Sequence, residues 1–249
     1  MILLVDGDIV AYRAASSCEP TKAKPFLEPL EVALYRLHDT IQTITKGTNC
    51  NDMEFYIGGS DNFRKKLYPE YKANRTKPPP TYLQECREIL VTQYSASIVN
   101  GMETDDMLGI RQTALGGNSR IVSIDKDLLQ IPGYHYNWVR DTHKLVSPLD
   151  GLKTFYKQLI AGDGTDNIPS YDGKLRNSVP KFIEKLQAPI DEMTEEIDMW
   201  YHVQDVYAAS CTGNQEEDYA MKDLHRNTQL IYILREEEKF WQPPGMKTE

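Results

Sequence analysis

Carboxylates in this chain gather in four short clusters, most of them beside apolar runs. Asp6 and Asp8 follow Ile2–Val5. Glu103, Asp105 and Asp106 sit in Glu103-Thr104-Asp105-Asp106. Asp125 and Asp127 follow Arg120–Ile124. Asp163 and Asp166 lie in Gly162-Asp163-Gly164-Thr165-Asp166-Asn167. Acids massed in one cleft repel and raise one another's pKa. Hard divalent cations remove that penalty, since Mg²⁺ and Mn²⁺ take carboxylate, water and phosphate oxygens. Two such ions roughly 4 Å apart can activate a water and stabilise the leaving oxygen of an in-line phosphoryl displacement. Each cluster alone has a plainer reading. Glu103–Asp106 would also cap a helix, where the macrodipole favours acids. Asp125-Lys126-Asp127 would serve as a turn. Asp163–Asn167 would serve as a turn or a fragment of a calcium loop, although the later ligands of such a loop are missing. Four clusters in one chain are much harder to explain as turns.

A second segment complements the first set. Residues 60–80 read SDNFRKKLYPEYKANRTKPPP, basic and aromatic up to three consecutive prolines. Lys72 offers a point charge to a phosphate and Arg75 a planar fork. Tyr71 offers a face on which a terminal base could stack. The plain alternative is a half-buried tyrosine in a solvated basic loop. Arg64, Lys65 and Lys66 read as surface that touches a nucleic-acid backbone rather than as catalytic groups.

The elements that must position these residues follow from periodicity. Residues 2–5 form a short apolar run that reads as a buried strand delivering Asp6 at its end, and 9–17 suit a helix. Residues 19–29 hold three prolines and read as a loop. Apolar residues at Leu30, Ala33, Leu34, Leu37, Ile41 and Ile44 mark a helix. Strands are expected at 53–57, 97–99, 120–124, 134–139 and 144–146, and helices at 81–94, 103–115 and 152–161. Beyond that the chain is mostly helical and polar. Strands alternating with helices predict an α/β fold with a mainly parallel central sheet flanked by helices, whose ligands bind beyond the carboxyl ends of the strands.

Composition sets outer limits. The 249 residues, 40% hydrophobic and 26% charged, are ordinary globular usage and suffice for one large domain or two small ones. No apolar run is long enough to span a membrane. The first fifteen residues lack a basic segment and carry two Asp, so no signal peptide is expected. Cys18, Cys50, Cys86 and Cys211 are scattered, which argues against a zinc site or disulfide framework and suits a reducing cytoplasm. The five His show no ligand spacing and read as structural. A net charge of −9 argues against a nucleic-acid partner at first sight. Setting aside the eight clustered acids (Asp6, Glu103, Asp105, Asp106, Asp125, Asp127, Asp163 and Asp166) leaves 29 acids against 28 bases, and the objection disappears.

With these residues in view, the chain resembles the 5′–3′ exonuclease/flap endonuclease superfamily (PIN-like nucleases), most closely its small phage-type members. The resemblance rests on VDGD (5–8), NFRKKLYPEYKANR (62–75), GMETDDMLG (101–109), SIDKDLLQI (123–131) and GDGTDNIP (162–169). It implies a sheet-centred nuclease core over 1–161 and a helical DNA-binding part over 162–249. It implies two Mg²⁺ or Mn²⁺ ions held by the eight acids just named, with Asp105 and Asp106 as direct ligands and Asp163 and Asp166 on the second-metal side. Lys72 and Arg75 take the catalytic roles, while Tyr71, Arg64, Lys174, Arg176 and Lys181 contact DNA. The implied activity is hydrolysis of DNA from 5′ ends, with flap cleavage and RNA-primer removal on RNA–DNA hybrids as related activities. The implied setting is a monomer in phage or bacterial replication or recombination. Two departures stand out. Gly58, Gly59 and Ser60 occupy the region where many members carry a further Asp, and Asp61 is displaced from it. One glycine, Gly173, lies where the family's helix–hairpin–helix uses several to hold K⁺, which puts a potassium site in question. Two rival readings are a related ribonuclease and a non-catalytic module that recognises DNA structure.

Overall fold

The computed structural model describes residues 1–210 and 214–245, with the backbone alone for 214–217. In chain order the elements are β1 (Ile2–Asp6), α1 (Gly7–Ser16), α2 (Leu30–Thr48), β2 (Met53–Gly58), α3 (Phe63–Leu67), α4 (Leu83–Tyr94), β3 (Ser97–Val99), α5 (Thr104–Leu115), β4 (Ser119–Val122), β5 (Gly133–Asn137), β6 (Thr142–Val146), α6 (Pro148–Ala161), α7 (Lys181–Glu192), α8 (Glu196–Ala208) and α9 (Asn214–Ile231). They form two compact units. The first comprises Met1–Asn62 and Lys77–Val146, the second Phe63–Thr76 and Ser147–Glu249.

The first unit is built on a six-stranded sheet of order β3-β2-β1-β4-β5-β6. All neighbours run parallel except β6, which returns antiparallel to β5. Alternation along the strands assigns the two faces. Leu3, Val5, Phe55, Ile57, Val122 and Tyr136 join a core with Val10, Ala11 and Ala14 of α1, Leu37, Ile41 and Ile44 of α2, and Cys86 and Leu90 of α4. The intervening residues of β2, Glu54 and Tyr56, face the other way, and Arg111 of α5 donates to Glu54 at 2.6 and 3.0 Å. That hydrogen bonding holds the Glu54 carboxyl below the usual range.

One glycine is required by the close approach of α1 to the sheet. A Cβ on Gly7 would lie 2.7 Å from the Tyr56 carbonyl oxygen and 2.8 Å from Ile57 Cγ2. Gly7→Ala is therefore expected to lower the unfolding free energy by about 1–3 kcal/mol, the usual cost of overpacking. A denaturant titration that finds the variant as stable as wild type would refute this.

The second unit is helical. Phe155, Tyr156, Leu159 and Ile160 of α6 pack with Met199, Trp200 and Val203 of α8, Leu224 and Leu230 of α9, and Trp241. Trp241 docks on this core against Trp200, with ring centroids 4.8 Å apart. Tyr71 belongs to the same core. The expected division at 161/162 therefore falls inside this unit. Helix α6 and residues 63–76 both pack with the C-terminal helices, because their apolar side chains have their partners there.

Cys18, Cys50 and Cys86 carry free thiols, while Cys211 lies outside the described residues. His135 is buried, its Nε2 donating to the Ile131 carbonyl, and burial lowers its pKa to about 4, as a structural histidine requires. Among the described residues no helix is long and apolar enough to cross a membrane.

Candidate functional site

Parallel pairing places the carboxyl ends of β1, β2, β3 and β4 along one edge of the sheet of the first unit. Asp6 closes β1 there and caps α1. Its Oδ1 accepts from the Ile9 amide at 3.1 Å, and its Oδ2 accepts from the Ser123 hydroxyl just beyond β4 at 2.9 Å. Ser123 Oγ in turn accepts from the Asp125 amide at 3.1 Å, and Asp125 Oδ1 accepts from the Asp127 amide at 2.9 Å. The first and third acidic clusters are thus joined through one serine. Asp6 is 2% exposed. Burial pushes its pKa up to about 7, and the charges of Asp8 and Asp125 add to the rise while the Ile9 and Ser123 hydrogen bonds oppose it.

The second cluster opens α5. Asp106 is fully buried and its Oδ2 accepts from the Glu103 amide at 3.0 Å, closing a capping box, while Asp105 is half-buried. The helix-cap reading of Glu103–Asp106 therefore describes Glu103 and Asp106 as they stand. Thr104 between them donates its hydroxyl to Asp8 Oδ2 at 2.6 Å. Asp8 also accepts from the Gly58 amide at 2.7 Å and from the Arg87 guanidinium. Gly58, Arg87 and Thr104 are residues that the sequence reading missed. Each acts through a partner far away in sequence, so no local pattern marks it.

Among the described residues, no three His, Cys, Asp or Glu side chains are drawn into a ready metal cage. The reason is visible in the bonds just listed. The carboxylates of Asp6, Asp8, Asp106 and Asp125 are turned onto amides, hydroxyls and one guanidinium. The donor set is nonetheless all oxygen, and the charges of Asp8 and Asp125 add to the rise that burial gives the Asp6 carboxyl. That chemistry fits a hard divalent cation.

In the second unit the fourth cluster and the YKANR segment form one constellation. Asp166 Oδ2 accepts from the Tyr71 hydroxyl at 2.9 Å and lies 3.4 Å from Lys72 Nζ, and its Oδ1 accepts from Arg75 Nη2 at 2.5 Å. The two segments are also stitched through backbone groups. The Lys72 amide donates to the Asp166 carbonyl at 2.9 Å, Asn74 Nδ2 to the Gly164 carbonyl at 2.6 Å, and Asn167 Nδ2 to the Glu70 carbonyl at 2.8 Å. Lys72 and Asn167 both hold left-handed backbone conformations, with φ of 59° and 60°. Asp163 Oδ1 accepts from the Thr165 amide at 2.8 Å and so closes the turn between them. Gly162 ahead of it, with φ of 66°, leaves no room for a side chain, since a Cβ would lie 2.6 Å from the Ile168 carbonyl oxygen.

Two expectations are corrected here. Tyr71 offers no face to a base, because it is 3% exposed, with its ring in the core and its hydroxyl on Asp166. Arg64 is no surface contact. It is 2% exposed, its Nε donating to the Leu230 carbonyl and its Nη2 to the Tyr232 carbonyl, both at 2.8 Å. Those buried carbonyls at the end of α9 need donors, and the guanidinium supplies them. Of the other basic residues, Arg176 is committed to Asp172, whose carboxyl it holds well below the usual range. Lys174 and Lys181 are exposed.

The family model described as "5′-3′ exonuclease, N-terminal resolvase-like domain" matches residues 1–158. The chain belongs to the 5′-3′ exonuclease family. A DNA polymerase I of Rhizobium leguminosarum is 29% identical over 69% of this chain and 19% of its own length. A 5′-3′ exonuclease of Buchnera aphidicola subsp. Schizaphis graminum is 27% identical over 68% of this chain and 64% of its own. The chain thus spans less than two thirds of the length of these curated relatives. Among solved structures, T5 5′-exonuclease with divalent metal ions (zinc) bound superposes with a TM-score of 0.54 at 19% identity, covering 91% of this chain and 98% of that one. That likeness shows the family's fold: a mostly parallel sheet flanked by helices.

Proposed function

We propose that this chain is a metal-dependent 5′–3′ exodeoxyribonuclease that hydrolyses phosphodiesters from DNA 5′ ends and also cuts 5′ flaps. The observation that carries the reading is the carboxyl edge of the parallel sheet. There Ser123 joins Asp6 to the Asp125 turn and Thr104 joins Asp8 to the start of α5, with the Asp6 carboxyl raised by burial and, to a lesser extent, by the charges of Asp8 and Asp125. Asp6, Glu103, Asp105, Asp106, Asp125 and Asp127 are assigned as the acids that hold Mg²⁺ or Mn²⁺ in the first unit, and Asp163 and Asp166 as the corresponding acids of the second. When bound, the ions supply an activated water and charge stabilisation for the leaving oxygen.

The chain's own groups contribute positioning. Ser123 fixes Asp6 and the Asp125 turn relative to each other, and the Arg111–Glu54 pair fixes the helix that carries Asp105 and Asp106. Lys72 and Arg75, held ready on Asp166, give a phosphate a point charge and a fork. Lys174 and Lys181 add sequence-independent contacts to a DNA backbone. The setting proposed is DNA replication or recombination.

Duplex DNA labelled at the 5′ or the 3′ end tests this, digested with Mg²⁺, with EDTA, and by Asp105→Asn. Early release of the 5′ label, lost in EDTA and in the variant, is expected. DNA binding without cleavage in Mg²⁺ or Mn²⁺ would overturn the proposal.

A further inference from the structure

Arg87 belongs to α4 and lies outside every acidic cluster, yet its guanidinium reaches the carboxyl edge of the sheet. Its Nη1 donates to Asp8 Oδ1 and its Nη2 to the Gly58 carbonyl. The other oxygen of Asp8 is filled by the Gly58 amide and the Thr104 hydroxyl. A single carboxylate thereby ties together the start of α1, the end of β2, helix α4 and the start of α5. The end of β2 itself carries no acid. The Gly59 amide donates to the Val99 carbonyl at 2.6 Å, and a Cβ there would lie 2.8 Å from the same oxygen, so no side chain fits. At this strand end the protein has placed a guanidinium, where the adjacent strand β1 ends in the carboxylate of Asp6.

We propose that Arg87 is a positioning residue that acts as a resident cation for Asp8. It neutralises this carboxylate without metal and restricts divalent-cation binding in the first unit to the other acids of the edge. The proposal rests on the metal-dependent reading above. Its physical basis is a competition. The pair is partly buried, with side-chain exposures of 24% for Arg87 and 32% for Asp8. Charge-assisted bonds in such a setting are stronger than neutral ones. A divalent ion approaching Asp8 would have to displace the guanidinium, leaving the Gly58 carbonyl without its donor. A lysine could match the charge but not the fork between a carboxylate and a carbonyl. Removing Arg87 therefore exposes Asp8 as an additional oxygen ligand.

The test uses the full chain without DNA, titrated with Mn²⁺ or Mg²⁺ alone by calorimetry and melted in EDTA and in each metal. Wild type, Arg87→Met, Arg87→Lys and the double variant Arg87→Met/Asp8→Asn are compared. Arg87→Met is expected to melt lower in EDTA, to gain more from Mn²⁺ than wild type does, and to bind Mn²⁺ at least about threefold more tightly or with an added site. Adding Asp8→Asn should return the Mn²⁺ gain to the wild-type level, which a merely structural arginine would not bring about. A cation response in Arg87→Met equal to or below that of wild type, or a larger one that survives Asp8→Asn, overturns the proposal. If Arg87→Met fails to fold, Arg87→Lys decides: a cation gain above wild type supports the proposal, and an equal one overturns it. The wild-type titration judges the metal reading separately, because that reading fails if wild type binds neither ion, whatever the variants do.

Discussion

Asp6→Asn is expected to stabilise the metal-free protein at pH 8 while lowering its cleavage rate by about a hundredfold or more. The two effects share one cause. Burial, with Asp8 and Asp125 adding to it, raises the Asp6 carboxyl to about 7. Its folded pKa therefore lies above the unfolded one, so the contribution of the neutral carboxyl is fully present below about pH 4 and is lost as pH rises through about 7. Above that, wild type without metal carries a buried charge that costs on the order of a few kcal/mol. Asn avoids the cost. It can still cap α1 through Oδ1, where it ranks with Asp, and can offer Nδ2 to Ser123 Oγ. Cleavage falls because a carboxylate that helps hold a cation is lost, and a stabilisation of several kcal/mol amounts to two or more decades in rate. Thermal melts of both proteins from pH 4 to 8 in EDTA, repeated in Mg²⁺, test this. In EDTA the wild-type curve should fall with pH while that of Asp6→Asn stays flatter. In Mg²⁺ wild type should recover and the variant should not. Parallel curves in EDTA would show that Asp6 is not the group under strain.

The difference between what the sequence displayed and what it hid follows from range. Asp6 and Asp125 were legible because a short apolar strand followed by an acid is a local pattern, and parallel pairing brings such ends to one edge. The helix marked by apolar residues from Leu30 to Ile44 was legible from spacing and spans Leu30–Thr48. The strand order was not, since nothing local says that β4 lies beside β1 while β2 separates β1 from β3. Arg87 was hidden because its carboxylate lies 79 residues away in sequence. Arg64 and Tyr71 were misjudged for the same reason. The basic, aromatic composition around them suggested a solvated surface, but Arg64 serves carbonyls 166 and 168 residues away and Tyr71 serves a carboxylate 95 residues away. Basic stretches are read as surface because most lysines and arginines are exposed. The exceptions are those with buried acceptors, and acceptors contributed by distant segments leave no trace in a local window.

Asp166 is where that hidden wiring has its largest predicted effect. Its side chain is 17% exposed and meets three donors, Tyr71, Lys72 and Arg75. Truncating it to Ala removes the carboxylate that accepts from the buried Tyr71 hydroxyl, at about 1–3 kcal/mol. It also takes the Asp166 carboxylate away from the Lys72 ammonium, which is 20% exposed. Arg75, at 52% exposed, is screened by water and adds little. Asp166→Ala is therefore expected to lose about 2–4 kcal/mol of stability and most cleavage, since Lys72 and Arg75 lose the group that holds them. Tyr71→Phe should lose only about 1 kcal/mol, the net worth of one hydrogen bond, and keep its DNA affinity. Because both substitutions remove the same bond, the double variant should be less unstable than the sum of the two. Asp166→Asn retains one acceptor oxygen and should regain part of the stability without regaining cleavage. Denaturant titrations and initial cleavage rates on one DNA substrate separate these outcomes. Tyr71→Ala then decides between a packed ring and a stacking platform. A packed ring loses about 3–5 kcal/mol of stability on truncation. A stacking ring would leave stability nearly unchanged and weaken DNA binding instead, and that result would mean that Tyr71 leaves the core when DNA is bound.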